Sequence, residues 1–476
     1  MPELLPSPSL KRWYAARWSG SSSWSPGIPI LLFGFFYAVL LVSLSAVHPF
    51  WLDEVMQLAG TRDYSGTALI RFIRDFPGTA PLGYLVQHWT IACLGFSSLS
   101  ARISSEICSV LSCIALSVLG RQLGLRNRSF LILLWACLPL QLRYALEARP
   151  YSQALFFAIL ATACFLHLLS RPSFQRALAY AVVIALGLYT VPYTLFLQFG
   201  YVAGLIASRR GARETAYSAA AIAAACFSFL PWYVSSAHYW NKLLDSLPAF
   251  KLSPKFLLLP VHEISGGGYV CSLALIALAI LGSLSPAIER SRKLCLVCGI
   301  ALGLFGAILS DAVFGYFFAI RQVMFILVPL TVLAVHGFVS ALQQKRRVLA
   351  VALGGTLMVS AVVKNVRYLA DRSENWAAAA AAIRSVTGNG ACLKFVEGGD
   401  AALYGFFDSS LIGRACAGAA DTPMIAVPTT AYTESTTLRN LTDELKRRGF
   451  QETRSTSAGG TKITSFYRSA RSLASQ

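Results

Sequence analysis

The chain has 476 residues, 55% of them apolar and only 13% charged, with a formal net charge of +19. That balance excludes an ordinary soluble globule and a disordered chain, and several runs approach the roughly 18 apolar residues that span a bilayer. The basic residues sit in short clusters between these runs, which excludes a nucleic-acid module and fits the cytoplasmic loops of a polytopic membrane protein.

In chain order, Lys11, Arg12 and Arg17 precede an apolar run from Ile28 to Val47. Ser45-Ala46 offers a small-residue end of the kind a signal peptidase cuts, but the run is long for a signal peptide, and an uncleaved signal-anchor is the better reading. A loop follows, His48-Pro-Phe-Trp-Leu-Asp53-Glu54, with adjacent carboxylates just beyond the first span. Acids are costly near hydrocarbon and mark chemistry or a pathway there. Ser65 to Phe76 places Leu69, Ile70, Phe72, Ile73 and Phe76 on one side of a helix and Arg71, Arg74 and Asp75 on the other, which predicts an amphipathic helix lying in the interface. Pro81 to Gly95, with Gln87, His88 and Trp89, is apolar but short. It reads as a span or as a second in-plane helix.

Charge decides between these. The basic clusters are Arg121/Arg126/Arg128, Arg171/Arg176, Arg209/Arg210/Arg213, Arg290/Arg292/Lys293 and Lys345/Arg346/Arg347. If Pro81–Gly95 stays on the outer face, all of them fall inside with the basic N-terminus, as the positive-inside rule requires. The expected spans are then about 28–47, 103–120, 129–143, 152–169, 176–191, 193–208, 215–233, 267–285, 294–310, 322–341 and 348–364, eleven crossings with the N-terminus inside and the C-terminus outside. The polar segments of interest all collect on the outer face, and any active site belongs there. No charge falls at a span centre on this reading.

Composition shifts after about Asn365, so residues 1–364 form the membrane domain and 365–476 an outer α/β domain. In the latter, Ser373-Glu-Asn-Trp376 opens a capped helix, Ala391–Val396 and Met424–Pro428 read as strands, Thr436–Arg448 as a helix, and Lys462–Tyr467 as a last strand. Nine of the eleven cysteines lie in apolar or interfacial stretches and read as small buried hydrophobes. Cys392 and Cys416 lie in the polar region, where an oxidising compartment would allow a disulfide.

The candidate chemistry starts at Asp53-Glu54, an adjacent acidic pair of the kind that serves as a base for a hydroxyl or holds a cation. Arg143-Tyr-Ala-Leu-Glu147-Ala-Arg149-Pro-Tyr151 packs two arginines and a glutamate between spans. An interface belt accounts for Arg143 and Tyr151, less well for Glu147. Arg321 and Arg102 stand at outer span ends, where an arginine either snorkels or clamps a lipid phosphate. His262-Glu263 reads as a polar loop pair, with an acceptor or metal contact as the alternative.

These segments carry a resemblance. W-L-D-E after the first span, P-L-G-Y-L-V-Q-H-W and G-F-S-S-L-S-A-R-I in the first outer loop, E-A-R-P-Y, G-L-Y-T, L-P-W-Y, R-Q-V-M-F-I-L-V-P and E-N-W occur in an order that resembles the GT-C superfamily of membrane glycosyltransferases. The bacterial relatives of protein O-mannosyltransferases and of the lipid A aminoarabinose transferase are the most similar branch. The resemblance implies a GT-C fold of about eleven transmembrane helices with two in-plane helices in the first outer loop, and inverting transfer from a polyprenyl-phosphate sugar to a glycan, lipid or protein acceptor. It implies Asp53 as base, Glu54 as the neighbour that shapes the site or a cation, and Glu147 as the second acid. Arg102, Arg149 and Arg321, with Tyr151, become candidates for phosphate or sugar. Relatives carry a basic residue or histidine before the P-L pair and a histidine after Y-T. Here these are Gly78-Thr79-Ala80 and Val191, with Arg71, Arg74 or His88 as substitutes. No cofactor is demanded; a divalent metal on Asp53, Glu54 or Glu147 stays open. The rival readings are a transporter or flippase of lipid-linked sugars and a non-catalytic subunit of the same fold. The expected location is the bacterial inner membrane, with the active site periplasmic.

Overall fold

A computed structural model describes residues 27–75, 80–125, 128–209, 211–244, 254–266, 268–314, 319–344, 346–371, 373–388, 391–396, 398–416 and 423–468. Lys11, Arg12, Arg17, Phe76, Gly78, Thr79, Arg126, Arg210 and Lys345 lie outside the described residues.

Among the described residues seven helices are long and apolar enough to cross a bilayer: Ile28–Val47, Ser98–Gln122, Tyr151–Ser170, Ala212–Ala237, Arg290–Phe314, Met324–Gln343 and Arg347–Ala370. At 1.5 Å per residue, 20 residues cover about 30 Å, one hydrocarbon thickness. Phe174–Leu188, Pro192–Ala207 and Tyr269–Leu284 are shorter apolar helices at three further expected spans. The run expected at 129–143 is broken into Ser129–Cys137 and Pro139–Ala145. Leu138 is extended because the proline after it disfavours the helical conformation there. Met324–Gln343 and Tyr151–Ser170 are mostly buried, whereas Arg347–Ala370 and Ile28–Val47 turn most of their apolar surface outward.

Glu106, Asp311 and His336 are buried within apolar helices, away from the centres of the expected spans 103–120, 294–310 and 322–341. Glu106 accepts a hydrogen bond from the Ser45 hydroxyl and Asp311 one from Tyr193.

The segment after the first span contains three short helices, Leu52–Asp63, Gly66–Asp75 and Pro81–Leu94. The second and third match the two expected in-plane helices. The first carries Asp53 and Glu54, which the sequence places in a loop. It starts at an extended Trp51, whose N–H donates to Glu54 Oε2 at 3.1 Å, half of a capping box. Two acids in the first turn also suit the positive end of the helix dipole. The amphipathic Gly66–Asp75 buries Leu69 and Ile73 against Tyr84 and leaves Arg71 exposed. Gln87 ties these helices to the bundle. Its Oε1 accepts from Gln57 Nε2 (2.9 Å) and Thr61 Oγ1 (3.0 Å), and its Nε2 donates to the carbonyls of Ala101 and Ala148 (both 3.0 Å).

The C-terminal unit is a four-stranded sheet with helices: β1 Cys392–Leu393, β2 Met424–Thr429, β3 Phe450–Ala458 and β4 Thr461–Arg468, in the order β1-β2-β4-β3. β1 and β2 are parallel and the other pairs antiparallel. The helix Trp376–Thr387 is capped by Asn375, whose side chain accepts from Ala378 N–H at 3.0 Å. Cys392 and Cys416 form a disulfide. Trp376, Ile383, Tyr404 and Phe406 of this unit share one apolar core with Phe50, Val55, Leu58 and Ala148. The unit therefore sits directly on the helix that carries Asp53.

Candidate active site

Asp53 and Glu54 are neighbours in sequence, yet the helix turns them to different surroundings. Asp53 is partly open, with its side chain 23% exposed, and Arg321 Nη1 donates to its Oδ2 at 2.7 Å. Arg149 Nη2 lies 3.9 Å from the same oxygen, while its Nη1 donates to the Asp53 carbonyl at 3.2 Å. Asp53 Oδ1 has no protein partner among the described residues. One carboxylate oxygen is thus held by arginines and the other is available.

Arg149 is held by the loop after Pro139–Ala145. Its Nη2 donates to Tyr151 Oη at 2.9 Å and its carbonyl accepts from Ser105 Oγ at 3.0 Å. Gly83 lets the helix Pro81–Leu94 approach this loop, because a Cβ there would lie 2.4 Å from Pro150 Cβ. That approach brings the buried Tyr84 hydroxyl beside Arg149 and Asp53. The Arg149 Nε–H is buried without an acceptor among the described residues. A guanidinium donor left over beside a half-open carboxylate suits an anionic ligand.

Arg102 and Glu54 require correction. Arg102 is fully buried and all five of its N–H donors are used. They bind Glu54 Oε1 and Oε2 (both 2.9 Å), Ser45 O (3.1 Å), His48 O (2.7 Å) and Pro49 O (3.0 Å). Glu54 is equally saturated, taking the Trp51 and Ala148 N–H groups as well (3.1 and 2.5 Å). Neither has a free valence for phosphate, sugar or a cation; together they fix the first span end to the helix bearing Asp53. His88 pairs through Nδ1 with the Thr61 carbonyl at 2.8 Å. Arg74 pairs with its neighbour Asp75 at 2.9 Å, and Arg71 points to the exposed face of its helix.

Glu147 is buried, with Oε1 on Arg143 Nε at 2.7 Å and Oε2 unpartnered among the described residues. Burial pushes its carboxyl above the usual range, partly offset by Arg143. Arg143 in turn lies 5.4 Å over the Trp51 ring. The three acids each face a different arginine and do not converge. Among the described residues no group of three or more His, Cys, Asp or Glu is placed to hold a metal. His262 and Glu263 pair loosely with each other at 4.0 Å, beside Tyr269.

Residues 78–232 match the family described as dolichyl-phosphate-mannose-protein mannosyltransferase. No curated protein matches the chain significantly. Among solved structures, ArnT from Cupriavidus metallidurans in the apo state superposes with a TM-score of 0.59 at 11% identity, covering 91% of this chain and 97% of that one. The same protein bound to undecaprenyl phosphate gives 0.57 at 10% identity, covering 92% and 98%. The archaeal oligosaccharyltransferase AglB from Archaeoglobus fulgidus, in complex with an inhibitory peptide and a dolichol-phosphate, gives 0.51 at 11% identity, covering 92% and 74%.

The chain has the GT-C fold of membrane glycosyltransferases.

Within this GT-C chain, three residues near Asp53 escaped the sequence reading. Tyr84 was visible only as part of a P-L-G-Y string. Glu374 and Tyr432 belong to the C-terminal unit and reach the site only through tertiary contact. Glu374 Oε2 accepts the Leu52 N–H at 3.0 Å, and its Oε1 accepts the Tyr432 hydroxyl. Glu374 was visible only as part of the E-N-W string, and no local signal in the sequence points to Tyr432.

Proposed function

We propose that this protein is an inverting glycosyltransferase that moves a sugar from a polyprenyl-phosphate donor to an acceptor hydroxyl at the outer face of the bacterial inner membrane. The observation that carries the reading is Asp53 with Arg321 and Arg149 on one oxygen and nothing on the other. In the proposed step Asp53 Oδ1 takes the proton of the acceptor hydroxyl. The acceptor oxygen bonds to the anomeric carbon from the face opposite the phosphate, the bond from that carbon to the phosphate oxygen breaks, and polyprenyl phosphate leaves with the electron pair. Arg321 and Arg149 stabilise the charge that develops on it. Tyr84 and Tyr151 hold the sugar or the phosphate at this position. A lipid-linked donor suits an outer-face site, because it carries its sugar to the membrane surface in place. The ArnT structure bound to undecaprenyl phosphate and the AglB structure with a dolichol-phosphate support that donor class by analogy.

The test uses membranes containing the full chain and radiolabelled undecaprenyl-phosphate-linked sugars prepared from the host. Asp53→Asn is expected to lower transfer by a factor of about 10²–10⁴, the usual contribution of a general base, at unchanged expression. Wild-type transfer by that variant would remove Asp53 from the mechanism.

A further inference from the structure

The contact between the C-terminal unit and the Asp53 helix is more than a docking surface. Glu374 stands just before the helix Trp376–Thr387, and the β3–β4 hairpin holds it in place. The Asn375 N–H donates to the Gly459 carbonyl at 3.0 Å. Gly459 and Gly460 have φ of +54° and +79°, and a Cβ on either would lie 2.1 or 2.0 Å from the carbonyl oxygens of Asn375 and Ser373. Glu374 spans two elements. One oxygen takes the N–H of Leu52, the residue before Asp53, and the other takes the hydroxyl of Tyr432.

Tyr432 is itself fixed by a built turn. Its N–H donates to Thr430 Oγ1 at 3.1 Å, and the Thr430 N–H donates to Thr433 Oγ1 at 2.8 Å. Tyr432 is nevertheless 53% exposed. Glu374 ties its hydroxyl to the backbone of Leu52, next to Asp53. Trp51, one residue before Leu52, has the half-exposed Arg143 guanidinium over its ring. A ligand entering here meets an exposed aromatic residue with a carboxylate and a guanidinium nearby. Rigid aromatic faces supply contact area at little entropic cost, and the polar groups around them fix orientation. A sugar ring, with C–H groups on its face and hydroxyls at its edge, matches that set.

We propose that Glu374 and Tyr432 form the acceptor side of the site and that the acceptor they seat is a saccharide. This rests on the glycosyltransferase reading of Asp53. Tyr432 is the specificity-determining platform, and Glu374 is the positioning residue that couples it to the Asp53 helix.

The experiment uses the full chain in membranes, undecaprenyl-phosphate-linked radiolabelled sugars as donor, and graded amounts of membranes from a strain lacking the protein as acceptor. Acceptor membranes are offered untreated, proteinase-treated or periodate-oxidised, and binding of undecaprenyl phosphate is measured in parallel. Tyr432→Ala is expected to raise the acceptor needed for half-maximal transfer about tenfold, the loss of one anchoring contact, with undecaprenyl phosphate binding at the wild-type level. Tyr432→Phe, which keeps the ring, is expected to fall within about threefold of wild type. Tyr432→Leu keeps the bulk, and it carries the test if the alanine variant misfolds and loses undecaprenyl phosphate binding. Label should pass to proteinase-treated membranes and fail on periodate-oxidised ones. Unchanged acceptor dependence in the alanine and leucine variants, or label that survives periodate and is lost with protease, would overturn the proposal. Active wild type with an indifferent Tyr432→Ala removes only this inference, whereas wild type no more active than Asp53→Asn removes the glycosyltransferase reading and this inference together.

Discussion

Arg102 and Arg321 both stand at outer helix ends, and in the sequence they invite the same two readings. Their surroundings give them opposite expected phenotypes. Removing Arg102 leaves Glu54 charged and buried, a loss of about 3–5 kcal/mol. Arg102→Met is expected to lower the folded yield and the unfolding temperature in detergent, whether or not donor lipid is present. Arg321 is 29% exposed, so its contact with the Asp53 carboxylate stays open to exchange with a phosphate. Arg321→Ala is expected to weaken undecaprenyl phosphate binding about tenfold, as for one charge-assisted hydrogen bond, while leaving the unfolding temperature near wild type. Arg321→Lys should restore part of the affinity. A titration that shows no change in the alanine variant would assign Arg321 to snorkelling. What separates the two arginines is burial, which a list of charges at span ends does not contain.

The in-plane helices and the C-terminal sheet differ in how readable they were. Gly66–Asp75 was legible because its apolar and charged residues alternate with helical period. The helix Leu52–Asp63 was not, because its start depends on Glu54 reaching back to Trp51 and its stability on tertiary packing. β3 escaped for a related reason: as an edge strand it is polar and exposed along nearly its whole length, so it lacks alternation. Within the C-terminal unit, Asp408 caps the short helix Ser409–Arg414 through Ser410 N (3.1 Å) and Ser410 Oγ (2.7 Å), and pairs with Arg384 at 2.5 Å. The Ser410 hydroxyl, then Arg384, hold its carboxyl below the usual range. Since the folded pKa lies below the unfolded one, this stabilisation is complete above the unfolded value of about 3.9 and is lost as pH falls through the folded value. Asp408→Ala is expected to cost about 1 kcal/mol at neutral pH and to flatten the acid sensitivity of this unit, read by limited proteolysis against pH. The Cys392–Cys416 bond, with a sequence separation of 24, is worth about 3 kcal/mol by loop closure. A double alanine variant should open the same unit to protease.

On the scale of the molecule, the orientation drawn from the basic clusters makes a test of its own. In a background with the exposed Cys93 replaced by serine, Thr436→Cys should react with a membrane-impermeant maleimide on spheroplasts. Gln122→Cys, at the end of the helix Ser98–Gln122 beside Arg121, should react only after the membrane is opened. The reverse pattern would invert the topology and move Asp53 to the inner face. Apolar run length and the placement of Lys and Arg are properties of short stretches, so the helical membrane architecture could be read from the chain alone, although the break at Pro139 in the run expected at 129–143 was not. Which arginine meets which acid could not. Arg321 reaches Asp53 across 268 positions, and Glu374 reaches Leu52 across 322. Pairings at such separations depend on how helices and sheet pack, and packing also set the two neighbouring carboxylates apart, leaving Asp53 open and enclosing Glu54 within the protein.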